Sequence, residues 1–299
     1  MTYNLQEQSP NTSADKIQIA IPKGRMLKGI TRLLEEAGID ITTTARGYRP
    51  QFGLNGFEAK MLKPQNIVEM LDNGSRDVGF AGRDWVIEKS ANLVELIDTK
   101  LDPVKIVAAA PRSFLKNGQL PQVPIRIASE YMNITREWVK TKNLEAQLIR
   151  SYGATEVFPP EDADLIVDNT ATGSTLETNQ LDIIEVITRS STRLYANPVA
   201  YETPWKREAI DHLVLMLRSV LAARTRVMLE LNASKDTLDN ILALLPAMRQ
   251  PTISTLHGEE GFAVKAAVPR QGLPDLIGAL CQQGGTDIVI SKLNQIITQ

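Results

Sequence analysis

DLIVDNTATGSTL, running from Asp164 to Leu176, is the stretch on which the reading of this chain turns. Asp164 to Val167 has the short, apolar, β-branched character of a buried parallel strand, and a second acid, Asp168, follows at once. Thr170, Thr172, Gly173, Ser174 and Thr175 then crowd into six positions, which predicts a tight turn whose hydroxyls and backbone N–H groups converge on an anion. Leu176 to Gln180 reads as the first turn of a helix, whose partial positive charge suits a phosphate. An acid at the strand end can accept hydrogen bonds from two vicinal ribose hydroxyls, so the stretch predicts a sugar-phosphate cradle. It lacks the lysine of a nucleotide P-loop. An ordinary junction with a hydroxyl cap is the alternative reading, although one hydroxyl suffices for a cap and this loop has four.

Working outward, the 299 residues are 43% hydrophobic and 23% charged, enough to bury sizeable cores in two or three domains. A net charge of −2 gives no basic surplus for nucleic acid, so cations for an anionic substrate must be gathered locally. Cys281, the one cysteine, excludes an internal disulfide, and two histidines, His212 and His257, make a zinc site or a cysteine-histidine dyad a poor reading. Any metal should be a hard cation held by carboxylates and substrate phosphates, most naturally Mg2+. Residues 1–16 carry no apolar run of the signal-peptide kind and read as a flexible extension, and no apolar run approaches a membrane span. The expectation is a soluble, cytoplasmic protein with no nucleic-acid or membrane partner.

Upstream of the cradle, strands and helices alternate. Ile17 to Ile21 reads as a buried strand entering Pro22-Lys23-Gly24-Arg25 and a helix with Leu27, Ile30, Leu33, Leu34 and Ala37 at helical spacing, closed by Gly38. A strand end at Lys60 to Leu62 leads through Lys63-Pro64-Gln65 to a helix stopped at Asn73-Gly74. Asp77 to Ala81 is a third strand, ending in Gly82-Arg83-Asp84-Trp85. Strand ends of this kind separated by helices argue for a mostly parallel sheet with its loops along one edge. Each charged loop can also be read as ordinary surface, salt bridge or cap. Val104 to Ala110 is a further strand, and Ser113 to Pro124 reads as a boundary before a second α/β unit. Strands at Ile183 to Ile187 and Arg193 to Ala196 return toward the first unit. Two such units joined twice make a clamshell with ligand in the cleft. A long helix, Trp205 to Arg224, leads to a final segment whose order, βαββαβ, is the ferredoxin-like arrangement.

Six motifs stand in order along the chain: IPKGR (Ile21 to Arg25), LKPQNI (Leu62 to Ile67), GRDW (Gly82 to Trp85), RIASEY (Arg126 to Tyr131), RSYGATE (Arg150 to Glu156) and Asp168-x-x-x-Thr172-Gly173-x-Thr175-Leu176. With them the chain resembles the ATP phosphoribosyltransferase family in its long form, over nearly everything after residue 16. The resemblance implies Mg2+-dependent transfer of phosphoribose from phosphoribosyl pyrophosphate (PRPP) to N1 of ATP, with release of pyrophosphate.

It implies an α/β fold: a two-lobed, periplasmic-binding-protein-like catalytic core and a C-terminal ferredoxin-like regulatory domain. Lobe I takes 17–112 and 192–224, lobe II takes 113–191, and the regulatory domain takes 225–299. Thr172, Gly173, Ser174 and Thr175 would hold the 5′-phosphate and Asp168 the ribose hydroxyls. Lys23 and Arg25 would face the leaving pyrophosphate, Lys63 and Asp84 the adenine nucleotide, and Glu130 PRPP or magnesium. No metal ligands are assigned beyond that.

The long form implies L-histidine as feedback effector, with Asn232, Thr252 and Ser254 as contacts, a homo-oligomer of dimers up to a hexamer, and no separate regulatory subunit. Three positions depart from the family's usual pattern. Asn169 stands where an apolar residue is common, Gln65 where lysine is common, and Gln250 begins what is usually Ser-Pro-Thr. A ligand-binding sensor without chemistry and a phosphoribosyltransferase with another acceptor are the competing readings, separated by turnover and by ATP consumption.

Overall fold

A computed structural model describes residues 16–42, 47–258 and 260–297. The expected N-terminal extension lies outside the described residues except for Lys16, whose ammonium pairs with Glu58 at 3.0 Å. The chain divides into two compact units, one running to residue 211 apart from residues 36–38, the other formed by 36–38 and the chain from 212 onward.

In the first unit, β1 (Ile17–Pro22) leads to α1 (Arg25–Glu36), and a short hairpin follows, β2 (Ile41–Thr42) with β3 (Gln51–Phe52). Then come β4 (Phe57–Leu62), α2 (Pro64–Asp72), β5 (Val78–Gly82) and α3 (Arg83–Lys89). β1 lies between β4 and β5, parallel to both. Nearly every side chain of β1 and β5 is buried, which is why both read as unbroken apolar runs. Gly79 shows how tightly α2 sits on this layer, because a Cβ there would come within 3.0 Å of Ala20 and of Ile67. Gly38 (φ +79°) and Gly74 (φ +77°) follow the helices they were expected to close.

β6 (Val94–Pro111) is 18 residues long and leads into β7 (Ile125–Ser129), α4 (Met132–Thr141), β8 (Ala146–Arg150), β9 (Leu165–Thr170), α5 (Ser174–Thr178) and β10 (Leu181–Ala196). β7 lies between β8 and β9, again parallel to both. β6 and β10 form one long antiparallel ribbon. One end of β10 carries β5 and its parallel triple, and the far end of β6 carries β9 and the other triple. The strand order is β4-β1-β5-β10-β6-β9-β7-β8.

The sheet is therefore parallel on its flanks and antiparallel through its middle, where a mostly parallel sheet was expected. Two strands expected at Ile183 to Ile187 and Arg193 to Ala196 are one, and the strand expected from Val104 begins at Val94. Charges within the ribbon are paired across it, Arg193 with Glu95 at 2.6 Å and with Asp98 at 3.4 Å. At the same level the register shifts around Ser190 to Arg193, and Lys100 and Asp102 take positive φ. α6 (Pro198–Glu202) follows, capped by the Asn197 side chain, and α7 (Pro204–Arg224) begins in the first unit and ends in the second.

The second unit contains β11 (Arg226–Ser234), α8 (Leu238–Leu244), β12 (Thr252–Thr255), β13 (Gly261–Pro269), α9 (Leu273–Gln282) and β14 (Thr286–Lys292). Its sheet is antiparallel in the order β12-β13-β11-β14. Val227, Leu229, Leu231 and Ala233 of β11 are buried with Ile241 of α8 and Leu280 of α9, leaving the even-numbered residues of β11 on the other face. Among the described residues no helix is long and apolar enough to cross a membrane.

Candidate active site

The carboxyl ends of β1, β5, β7 and β9 meet the irregular middle of the β6/β10 ribbon around a cleft of about 290 Å³. Ligands of open α/β sheets gather at the carboxyl ends of parallel strands in this way. Lys23 and Arg25 line the cleft from the β1–α1 junction, and Asp84 and Trp85 from the first turn of α3. Asp102 and Ser190 to Thr192 enter from the ribbon, Tyr131 from the loop after β7, and Asn169 from β9.

Asp84 is buried, and its carboxylate is held at both oxygens. Ser190 Oγ donates to Oδ1 at 2.6 Å, and the Tyr131 hydroxyl donates to Oδ2 at 2.7 Å. Burial, and then the adjacent Asp84 charge, drive the Tyr131 phenol well above its usual pKa, so it remains a neutral donor. Its ring stacks on Trp85 with centroids 4.6 Å apart. Asn169 Nδ2 donates to the Tyr131 oxygen and to Asp168 Oδ1, both at 3.2 Å. A hydrogen-bonded chain therefore runs from Ser190 through Asp84, Tyr131 and Asn169 to Asp168.

Asp168 was expected at the strand end. β9 runs two residues further, because Asn169 and Thr170 pair with Ile106 and Lys105 of β6 and stay extended. Burial pushes the Asp168 carboxyl up to about 6; the Asn169 N–H and Thr155 hydroxyl oppose the rise, and the Glu130 and Glu156 charges add to it. Burial also raises Glu130, against the Lys63 ammonium. Glu130 thus feels the charge of Lys63, and Asp168 that of Glu130.

Beyond β9 the loop turns at Gly173, φ +92°, with Thr170 Oγ1 accepting from the Gly173 N–H at 3.0 Å. Thr172, Ser174 and Thr175 are exposed, and the helix starts at Ser174, two residues earlier than expected. Lys23 lies over the Tyr48 ring at 3.6 Å, and Arg25 and Lys63 are exposed.

In the second unit, Asn232 and Ser254 both stand opposite Ala263, and Thr252 opposite Lys265, so the three share the face of the sheet away from α8 and α9. Asn232 Nδ2 donates to Asp287 at 3.0 Å.

Residues 63–219 match the family described as ATP phosphoribosyltransferase, and residues 223–295 match the family described as HisG, C-terminal domain. The chain belongs to the ATP phosphoribosyltransferase family. It is 36% identical over 293 residues to the ATP phosphoribosyltransferase of Pelotomaculum thermopropionicum, covering 94% of this chain and 99% of that one. To that of Prosthecochloris aestuarii it is 35% identical, covering 96% and 99%. Among solved structures it is similar to a chain of the ATP phosphoribosyl transferase (HisG:HisZ) complex from Thermotoga maritima, at TM-score 0.62 and 28% identity. That match covers 98% of the Thermotoga chain and 69% of this one.

As a family member, the protein transfers phosphoribose from PRPP to ATP, the first reaction of histidine biosynthesis. Motif reading singled out Lys23, Arg25 and Asp84, which line this cleft, and also Lys63, Glu130, Asp168 and Thr172 to Thr175, which are not among its lining residues. It missed Tyr131, Asn169, Asp102 and Ser190 as residues facing that cleft. Tyr131 lies inside a quoted motif but reads as core, and the other three gain their place only through strand pairing.

Proposed function

We propose that PRPP occupies the β9 side of the cleft and ATP the α3 side, so that C1′ of the ribose and N1 of the adenine meet between them. Asp168 receives the ribose hydroxyls, and Thr172 to Thr175 the 5′-phosphate. Lys23 and Arg25 neutralise the departing pyrophosphate. Charge develops there in the transition state, so cations aimed at it act on rate more than on substrate binding. Asp84 and Lys63 hold the nucleotide. Adenine N1 is already nucleophilic, so a strong general base is not required. The observation that carries this reading is the convergence of the β1–α1 cations, the α3 carboxylate and the end of β9 on one cleft in a chain of this family.

Mg2+ chemistry fits the residues present in a particular way. Among the described residues no three His, Cys, Asp or Glu side chains stand together as a metal site. Glu130 beside Asp168 offers hard oxygen donors, which suits an ion brought in largely by substrate phosphates. The ion would supply charge neutralisation on the pyrophosphate.

The strand order of the first unit supports a two-lobed, periplasmic-binding-protein-like core with lobes at 17–112 with 192–224 and at 113–191. The order β12-β13-β11-β14 supports a ferredoxin-like regulatory domain at 225–299. L-Histidine is its effector in this reading, on the open sheet face at Asn232, Thr252 and Ser254, where Asp287 brings the negative charge that Asn232 lacks. The built-in domain makes a separate regulatory subunit unnecessary. A cytoplasmic homo-oligomer, from dimer to hexamer, completes the reading.

An absorbance assay with ATP, PRPP and Mg2+, pulled forward by pyrophosphatase and repeated with L-histidine, tests it. Product formation suppressed by histidine is expected. In Arg25→Ala, turnover should fall far more than PRPP affinity. Equal losses in both count against the leaving-group role, and product without suppression removes the effector site.

A further inference from the structure

The Asn169 side chain makes two bonds that no apolar residue can make. Tyr131 commits its proton to Asp84 and so presents only lone pairs to Asn169. Asp168 is a carboxylate at neutral pH and also presents only lone pairs. Both neighbours must receive protons, which fixes the amide nitrogen toward them and uses both of its hydrogens, each at 3.2 Å. The Asn169 backbone N–H adds a third bond, at 2.6 Å to Asp168 Oδ1. An apolar side chain at 169 would keep that backbone bond and lose the other two.

The two bonds lead to opposite halves of the cleft. One reaches Asp84 and Trp85 through Tyr131, and the other goes directly to the carboxylate on the PRPP side. We propose that Asn169 is a positioning residue that couples the ATP half of the site to the PRPP half, holding Tyr131 and Asp168 in one relative geometry for the transfer. This inference rests on the substrate placement given above. A residue of this kind acts on alignment of the two reacting centres. Its removal therefore lowers the rate of the chemical step more than the affinity for either substrate alone.

The experiment is a double-mutant cycle on the full chain with Asn169→Leu, Tyr131→Phe and the pair, read by single-turnover rates, by KM for ATP and PRPP, and by thermal melting. Asn169→Leu is expected to slow the single turnover about 2- to 12-fold, the span of one ordinary hydrogen bond, with each KM changed less than about twofold. In the Tyr131→Phe background the same substitution should cost distinctly less. Asn169→Ser, which breaks the same two bonds without adding apolar bulk, replaces Asn169→Leu should the latter fail to fold.

A folded variant with the parental single-turnover rate overturns the proposal, and so do fully multiplicative effects with Tyr131→Phe. Asp168→Asn separates the two layers of the argument. Undiminished PRPP binding in that variant overturns the substrate placement itself. Weakened binding beside a neutral Asn169→Leu overturns the positioning role alone.

Discussion

Asp84 and Ser190, 106 residues apart in sequence, exchange a pair of hydrogen bonds: Ser190 Oγ donates to Asp84 Oδ1 at 2.6 Å and accepts from the Asp84 N–H at 3.0 Å. The exchange ties the first turn of α3 to the irregular middle of β10. With Tyr131 on the other oxygen, it leaves the carboxylate one available orientation. Backbone identity two residues earlier decides whether that orientation is possible.

Gly82 has φ −72°, which any residue adopts, yet a Cβ on it would run into Asp84 Oδ1. Gly82→Ala is therefore expected to turn the carboxylate away from Ser190, costing about 1.5–3 kcal/mol for a buried bond to a charged group, and to raise KM for ATP. Chemical denaturation and steady-state kinetics check both. Parental values in each would mean that Asp84 has room to move and that its orientation is unimportant.

What the chain disclosed in advance follows from how each element is stabilised. β1, β5 and β9 were legible because strands covered on both faces are apolar runs, and α1 and α2 because glycine closes them. The ribbon was not. Asp98 and Asp102 break the apolar pattern of β6, and what keeps them in a strand is pairing with Ser191, Thr192 and Arg193 ninety residues on, which no local pattern contains. The same limit governs the cleft. Cations at strand ends announce themselves, whereas Asn169 looks like a lapse from the apolar pattern until β9 is seen beside β7 and Tyr131 comes within its reach.

Asp168 gives a pH prediction. Its folded carboxyl, pushed up to about 6, lies above the unfolded value of about 3.9, so the folded chain binds this proton more tightly. Its ionisation costs stability as pH rises from about 4 through 6, and the form that accepts ribose hydroxyls prevails only above that range. The efficiency kcat/KM for PRPP should fall on the acid side below about pH 6. A phosphate on the substrate also titrates near 6, so the comparison is with Asp168→Asn. That variant should be less active at pH 8, lack the carboxyl's share of the acid limb, and melt higher than the parent at pH 8 but not at pH 4. Identical acid limbs would remove Asp168 from the ionisation.

Glu88 carries a structural prediction. Buried in α3, its carboxylate accepts from the N–H groups of Asn133, at 2.9 and 3.1 Å, and Ile134, at 3.0 Å, and so caps α4 from another helix. Asn133 returns a bond from its side chain to the Glu88 carbonyl at 2.7 Å. Glu88→Ala should cost about 1–3 kcal/mol by leaving buried donors unpaired, and Glu88→Gln less, since its amide oxygen can still accept. Equal stability of the two variants in urea unfolding would mean that the bonds accepted at this position contribute nothing.

Asp98 provides the opposite titration. Burial alone would raise its carboxyl, but hydrogen bonds from the Lys100 ammonium, the Ser191 hydroxyl and the Lys100 N–H, with the Arg193 charge, outweigh it and bring the group to about 2. The unfolded chain, near 3.9, then takes up this proton first on acidification. The stability contributed is present in full above about pH 4 and is lost as pH falls toward 2. Lys100 is well exposed, so solvent screens part of the pairing, and about 1 kcal/mol is expected rather than the whole shift. Asp98→Asn should therefore melt below the parent at pH 7, with the gap narrowing steadily between pH 4 and pH 2. Asp98 fastens β6 to β10 at the level where the register shifts, so the same variant should also speed amide hydrogen exchange in residues 98–102 and 190–193 at pH 7. A melting gap that stays constant with pH would show that Asp98 acts through shape alone, and unchanged exchange would show that the ribbon does not depend on it.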